Sequence, residues 1–304
     1  MQAAVELRPA TDADLRVLAE VQAAQDTAWW GSPDGDEDDM RAELDRVRLA
    51  AGSLDQGSRV AVARRSDGDR EVVGFAFSLG HGQTDLAVDP SVEVAADARG
   101  QLVRWLIASG ANAIVAPSHD RERLALLGEL GWHPRRSSFE LQRNADIADL
   151  GSTTWPPGIT AVPFRRGVDD AEVHEMIYSV WSDVPGHTHR PFDEWRALLV
   201  EDAAFVSGLA VLARRDDGSG PVAGVAICRM FTGAVGWVSQ LAVGRPDRGV
   251  GLGRSLLVES FHRLAGAGAE TLALDVEAEN AKALGLYRSV GLEVIREWLY
   301  CSPD

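Results

Sequence analysis

Cysteine is scarce: Cys228 and Cys301 are the only two in 304 residues, and no C-x-x-C pair occurs. A disulfide framework and the paired-cysteine zinc and redox motifs are thereby excluded, and a reducing cytoplasm is the expected compartment. Positive charge is short as well. Lys and Arg total 30 against 46 Asp and Glu, a formal net charge of −16 with a pI near 4.8. Nucleic acid and anionic membrane both demand a basic surface, so neither is expected as a partner, whereas a cationic substrate is favoured. No apolar run approaches the roughly 20 residues that span a bilayer. The N-terminal MQAAVELRPATDADL lacks the basic segment and apolar run of a secretory signal.

The two common phosphate loops are also missing. Gly249, Gly251 and Gly253 cluster after an apolar run ending at Val243, but Arg254 and Leu256 stand where the third glycine of G-x-G-x-x-G would fall. No G-K-[ST] follows either. What is present from Trp237 to Gly291 is a strand-like WVSQLAV, the turn RPDRGVGLGR, and a helical pattern carrying Leu256, Leu257, Phe261 and Leu264. Glycines at such a turn let backbone N–H groups converge, and the helix that follows aims its unpaired donors and positive dipole end at the same point. An anion is expected there.

The spacing Arg248-x-x-Gly251-x-Gly253 resembles the acyl-CoA loop of the GNAT superfamily of N-acyltransferases. After the strand-like TLALDV, Asn280, Ala283, Leu286, Tyr287 and Gly291 follow at the spacing of that family's second signature, N-x-x-A-x-x-L-Y-x-x-x-G. Taken singly, Asn280 reads as a helix cap and Tyr287 as core; the ordered pair of motifs carries the resemblance. It implies acetyl-CoA as cosubstrate. The implied coenzyme contacts are Leu241, Ala242 and Val243 at the strand end, Arg248, Gly249, Val250, Gly251, Leu252, Gly253 and Arg254 in the loop, and Asn280 and Ala283 beyond it. Tyr287 is the implied general acid for the departing sulfur.

The chain also repeats itself. AVARRSDGD recurs as AVLARRDDGSG, VVGFAF as VAGVAI, DLAVDP as QLAVGRP, and LGELGWHP as YRSVGLEV. Such pairing indicates a duplicated unit with small insertions. Trp155-Pro156-Pro157-Gly158 can continue neither a helix nor a central strand. The expected organisation is a degenerate N-terminal GNAT-like domain over 1–143, a linker over 144–157, and a catalytic C-terminal GNAT domain over 158–304. Each is expected to be a mixed α/β sheet (α+β), and the arrangement resembles the tandem-GNAT proteins, a group that includes mycothiol synthase. In the first half, the segment after Val88 reads DPSVEVAADARG, without R-x-x-G-x-G and with Asp89, Glu93 and Asp97 where a pyrophosphate would lie.

Amide formation from a thioester needs a neutral amine, a polarised carbonyl and a proton for the thiolate. Ser239 and Gln240 stand where many relatives carry a glutamate base, so Asp275, Glu277, His187, His189 or water alone remain open for that task. Between Tyr178 and Phe192, SVWSDVPGHTHRP occupies the place of the family's acceptor loop; Asp183, His187 and Ser239 are the substrate-contact candidates. His187-x-His189 with Asp183 has no further ligand cluster beside it, and no metal is expected. The reading is an N-acetyltransferase that moves acetyl directly from acetyl-CoA to the primary amine of a small molecule, as a monomer or homodimer. A non-catalytic acyl-CoA-binding module and a Fem-type aminoacyl transferase are the alternatives.

Overall fold

The computed structural model describes residues 5–33, 35–64, 69–79, 84–182, 189–202 and 204–304. It divides into two compact units, Met1–Ser137 with Glu297–Asp304, and Ser138–Arg296. This division runs through two strands, and so differs from a single cut in the linker expected over 144–157. Within that stretch Trp155–Gly158 does form a turn: the Ile159 N–H donates to the Pro156 carbonyl at 3.1 Å and Gly158 takes φ +74°.

The first unit opens with β1 (Val5–Arg8). Thr11 and Asp14 then form the capping box legible in the sequence, the Thr11 N–H and Oγ1 both donating to Asp14 Oδ2 at 2.8 Å. Helix α1 (Leu15–Trp30) follows, and Asp36 caps α2 (Glu37–Ala51) by accepting from the Asp38 and Asp39 N–H groups. Asp36, Glu37, Asp38 and Asp39 thus place negative charge at a helix N-terminus. After α3 (Leu54–Gly57), strands β2 (Ser58–Arg64), β3 (Arg70–Ser78) and β4 (Thr84–Val88) complete an antiparallel sheet in the order β1-β2-β3-β4. Residue alternation, shifted once by a bulge at Val73 between the pairs Ala61–Gly74 and Val62–Val72, decides its two faces. Val60, Val62, Phe75 and Phe77 meet α1 and α2, while Ala61, Ala63, Val73 and Ala76 meet α4 (Ala95–Ala108). Next come β5 (Ile114–Pro117), α5 (Arg121–Glu129) and β6 (Trp132–Asn144). β5 pairs with the C-terminal residues Trp298–Cys301.

The second unit takes residues 138–144 of β6 and adds β7 (Ile159–Pro163), α6 (Asp170–Trp181), α7 (Phe192–Trp195), β8 (Val211–Arg215), β9 (Val222–Phe231) and β10 (Val235–Val243). It finishes with α8 (Leu252–Gly266), β11 (Thr271–Glu277), α9 (Ala281–Arg288) and the start of β12 (Glu293–Pro303). Its strand order is β6-β11-β10-β9-β8-β7. β10 and β11 are parallel; the neighbouring pairs on either side are antiparallel. One face packs Leu212, Val225, Ile227 and Ala242 under α6 and α7, the other packs Val211, Ala226, Val238, Leu272 and Leu274 under α8. No described helix is long and apolar enough to cross a membrane.

Candidate active site

The site begins as a fault in the sheet. β10 and β11 run side by side only from Val235–Trp237 against Thr271–Ala273, although β10 continues to Val243 and β11 to Glu277. Beyond Trp237 the two strands part. β10 also carries a bulge: Val238 pairs with Cys228 and Gln240 with Ile227, which leaves Ser239 as the extra residue. A bulge bends its strand and re-aims the side chains that follow. After it, Gln240 turns into the α6–α7 core and accepts from Trp195 Nε1 at 3.0 Å. Gln240 is therefore a structural contact, and Ser239 accepts from Arg229 Nε at 2.8 Å.

The glycine turn sits at the open end of this wedge. A short 3₁₀ turn over Arg245–Asp247 is tied down by Arg215, whose Nε and Nη2 reach the two Asp247 carboxylate oxygens at 2.9 and 2.6 Å. Gly249 and Gly251 adopt φ of +83° and +93°, a region costly for L side chains, and a Cβ at either would meet nothing within 4 Å. The space beside these glycines is open. Gly251 is the residue preceding α8, and no side chain caps that helix. Its first N–H groups, flanked by exposed Arg248 and Arg254, are fitted to an anion. Leu252 is buried under the turn, Val250 is 58% exposed, and the Arg248 Nε donates to the Val243 carbonyl at 3.2 Å.

Gly253 is where three segments converge: a Cβ there would lie 3.5 Å from Leu286 and 3.6 Å from Val243. The end of β10, the start of α8 and the helix α9 thus close around one point. Asn280 caps α9 by accepting from the Ala283 N–H at 3.1 Å. Asn280→Ala is expected to lower stability by about 1 kcal/mol, measured as a lower urea midpoint at unchanged slope. Tyr287 is buried in the same core as Leu252 and Leu284, and burial pushes its phenol up to about 12. Cys228 is fully buried, its thiol likewise pushed up to about 12, which removes it as a nucleophile.

The face of the sheet opposite α8 carries the charge. Leu272, Leu274 and Val276 point to α8, so Asp275 and Glu277 point the other way. On β6 the same alternation places Leu141 toward α8 and Glu140 opposite, and Glu140 is the register partner of Asp275. Glu140 is 4% exposed, accepts from Gln142 Nε2 at 2.8 Å, and lies 3.3 Å from Arg296 Nη1. The Asp275 side chain is exposed to solvent. Desolvation first, then Glu140, push its carboxyl up to about 7, with Glu277 adding to the rise and Arg296 and Arg229 opposing it.

Asp183 and His187 lie outside the described residues. His189, next to them, packs its ring 4.4 Å from that of Tyr178. Arg229, Glu140 and Arg296 carry no sequence signal, because a pairing register across distant strands is what assembles them.

In the first unit the matching segment is built differently. Asp120 caps α5 through the Arg123 N–H as Asn280 caps α9, but Arg123 stands in the place of Ala283 and Leu127 in the place of Tyr287. The Arg123 guanidinium is buried between β4 and β5, donating to the Leu86 carbonyl at 3.0 Å and the Val115 carbonyl at 3.2 Å. Gln25 Oε1 accepts from the Val88 N–H at 3.0 Å.

Residues 172–292 match the model of the Acetyltransferase (GNAT) family. A mycothiol acetyltransferase of Kytococcus sedentarius is 27% identical over 274 residues, covering 84% of this chain and 91% of that protein. One from Kineococcus radiotolerans is 30% identical over 169 residues, 55% of this chain and 54% of that protein. Among solved structures, a GCN5-related N-acetyltransferase from Sphaerobacter thermophilus superposes with a TM-score of 0.76 at 23% identity, covering 98% of this chain and 94% of that one. A tandem GNAT protein from the clavulanic acid biosynthesis pathway gives 0.71 at 17% identity, with 98% of each chain covered.

Proposed function

We propose, from the match of residues 172–292 to the Acetyltransferase (GNAT) family model, that the chain transfers acetyl from acetyl-CoA to the primary amine of a small molecule. The observation that carries this is the parting of β10 and β11 beside a turn whose glycines leave open space at a helix N-terminus. The coenzyme's pyrophosphate fits the N–H groups of 249–253 between Arg248 and Arg254. Its pantetheine arm fits the edge of Leu241–Val243 that β11 leaves, and strand N–H groups there would polarise the thioester carbonyl. The amine attacks that carbon and its proton passes through water to Asp275, whose carboxyl is held near neutrality. As the carbon–sulfur bond breaks, Tyr287 donates its proton to the sulfur; the raised phenol keeps that proton at physiological pH.

The carboxylates Asp275, Glu277 and Glu140 on the face opposite α8, with the net charge of −16, favour a cationic acceptor. The relatives' names put the unacetylated precursor of mycothiol first in an acceptor panel, followed by glucosamine, spermidine and kanamycin. Release of CoA thiol from acetyl-CoA is measured with each. Amine-dependent release with at least one, and N-acetylated product by mass, is expected; binding of acetyl-CoA without release across the panel would instead favour a non-catalytic acyl-CoA module.

A further inference from the structure

We propose that Glu140 is a positioning residue for the acetyl transfer, acting through Asp275 by fixing the proton affinity of that carboxylate. The inference rests on Asp275 being the proton acceptor of the function proposed above.

The geometry comes from strand pairing. β6 and β11 pair along their shared length, Asn144 with Thr271 through Ser138 with Glu277, and Asp275 falls opposite Glu140. Side chains of such partners stand on the same face with Cβ atoms about 4.5–5.5 Å apart. Two like charges at that distance oppose each other's ionisation. Glu140 is the better held of the two. It is 4% exposed, with Arg296 at 3.3 Å and Gln142 donating at 2.8 Å, so its carboxylate is fixed in place beside Asp275. The other charged groups facing Asp275 are Glu277 on its own strand, Arg296 on β12 and Arg229 on β9. Arg229 is engaged with Ser239 and lies 3.8 Å from Asp202, and Arg296 is directed at Glu140. Neither cation is spent on Asp275 alone. An isolated aspartate would be too weak a base to relay a proton from an ammonium near neutral pH; one beside a fixed buried glutamate is matched to the task.

The test reads ionisation directly and then turnover. In the full chain labelled with [γ-¹³C]aspartate, the resonance lost in Asp275→Asn is assigned to Asp275 and followed with pH. A midpoint near 7 is expected in the unsubstituted protein. Glu140→Gln should lower it by about one unit, and Arg296→Gln, which removes a cation, should raise it. The acidic limb of kcat/KM with the acceptor retained from the panel should move in the same two directions. The acceptor's own ionisation is common to all variants and cancels. A purely structural role for Glu140 would scale the whole profile without moving its limb. An unmoved Asp275 midpoint in Glu140→Gln, with Asp275→Asn inactive, would overturn this inference alone. Full turnover in Asp275→Asn would overturn the assignment of the base beneath it. Should Glu140→Gln fail to fold, Arg296→Gln still decides, since an unmoved or lowered midpoint there contradicts a field set by these neighbours.

Discussion

Gly251→Asp is expected to abolish acetyl-CoA binding in calorimetric titration, where the unsubstituted chain takes up one equivalent. The substitution has two effects. Gly251 holds φ at +93°, which costs a side-chain-bearing residue roughly 1–2 kcal/mol. The new carboxylate would enter the open space where the pyrophosphate is placed, and like unit charges about 4 Å apart repel by about 4 kcal/mol at an effective dielectric of about 20. The repulsion alone weakens binding by about a thousandfold, while the strain falls on the folded chain with or without coenzyme. The substitution lies in an exposed turn before α8, so the thermal midpoint should change little by comparison. A second equivalent that survives Gly251→Asp would show that the first unit binds acyl-CoA as well.

Such a second equivalent is not expected, for a reason beyond the missing glycine turn. In the first unit Arg123 fills the gap between β4 and β5 and satisfies carbonyls on both, while Gln25 takes the Val88 N–H at the end of β4. The backbone groups that a pantetheine arm would need there already have partners. With Leu127 in the place of Tyr287, that position has no phenol to offer a departing sulfur.

Tyr287→Phe is the second large effect. The substitution removes one oxygen from a packed residue, so the core around α9 is preserved and acetyl-CoA affinity should change by less than about threefold. Turnover should fall by about a hundredfold or more, the range in which a positioned general acid contributes. Because the proton is needed only as the carbon–sulfur bond breaks, kcat and kcat/KM should fall together. Unchanged turnover in an assay limited by chemistry would remove Tyr287 from the reaction.

The parts of the site that could be read from the sequence are those whose chemistry is local. Gly249 and Gly251 are needed by positive φ, Asn280 by the first N–H groups of its own helix, and each need is written within a few residues. Thr11 and Asp14 form their capping box for the same reason. What could not be read depends on register. Nothing in WVSQLAV marks Ser239 as a bulge or turns Gln240 to Trp195 rather than to the open face, since both follow from how β9 is aligned beside it. Glu140 stands 135 positions before Asp275 in the chain, and only the pairing of β6 with β11 makes them neighbours. The domain cut is the same case. A proline turn at Trp155–Gly158 is visible in the sequence, whereas the passage of β6 and β12 from one unit into the other is a property of the sheets.

That passage of strands makes the two halves of the gene product inseparable in a way their repeated sequence conceals. A break in the 144–157 stretch would yield one fragment carrying residues 138–143, which belong in the second unit, and another carrying 297–304, which belong in the first. Each fragment would lack a strand segment that the other holds, so neither could be expected to fold as a copy of the ancestral single unit. In this chain each repeated half holds a strand segment that belongs to the other unit, so removing either half would take part of the remaining unit with it.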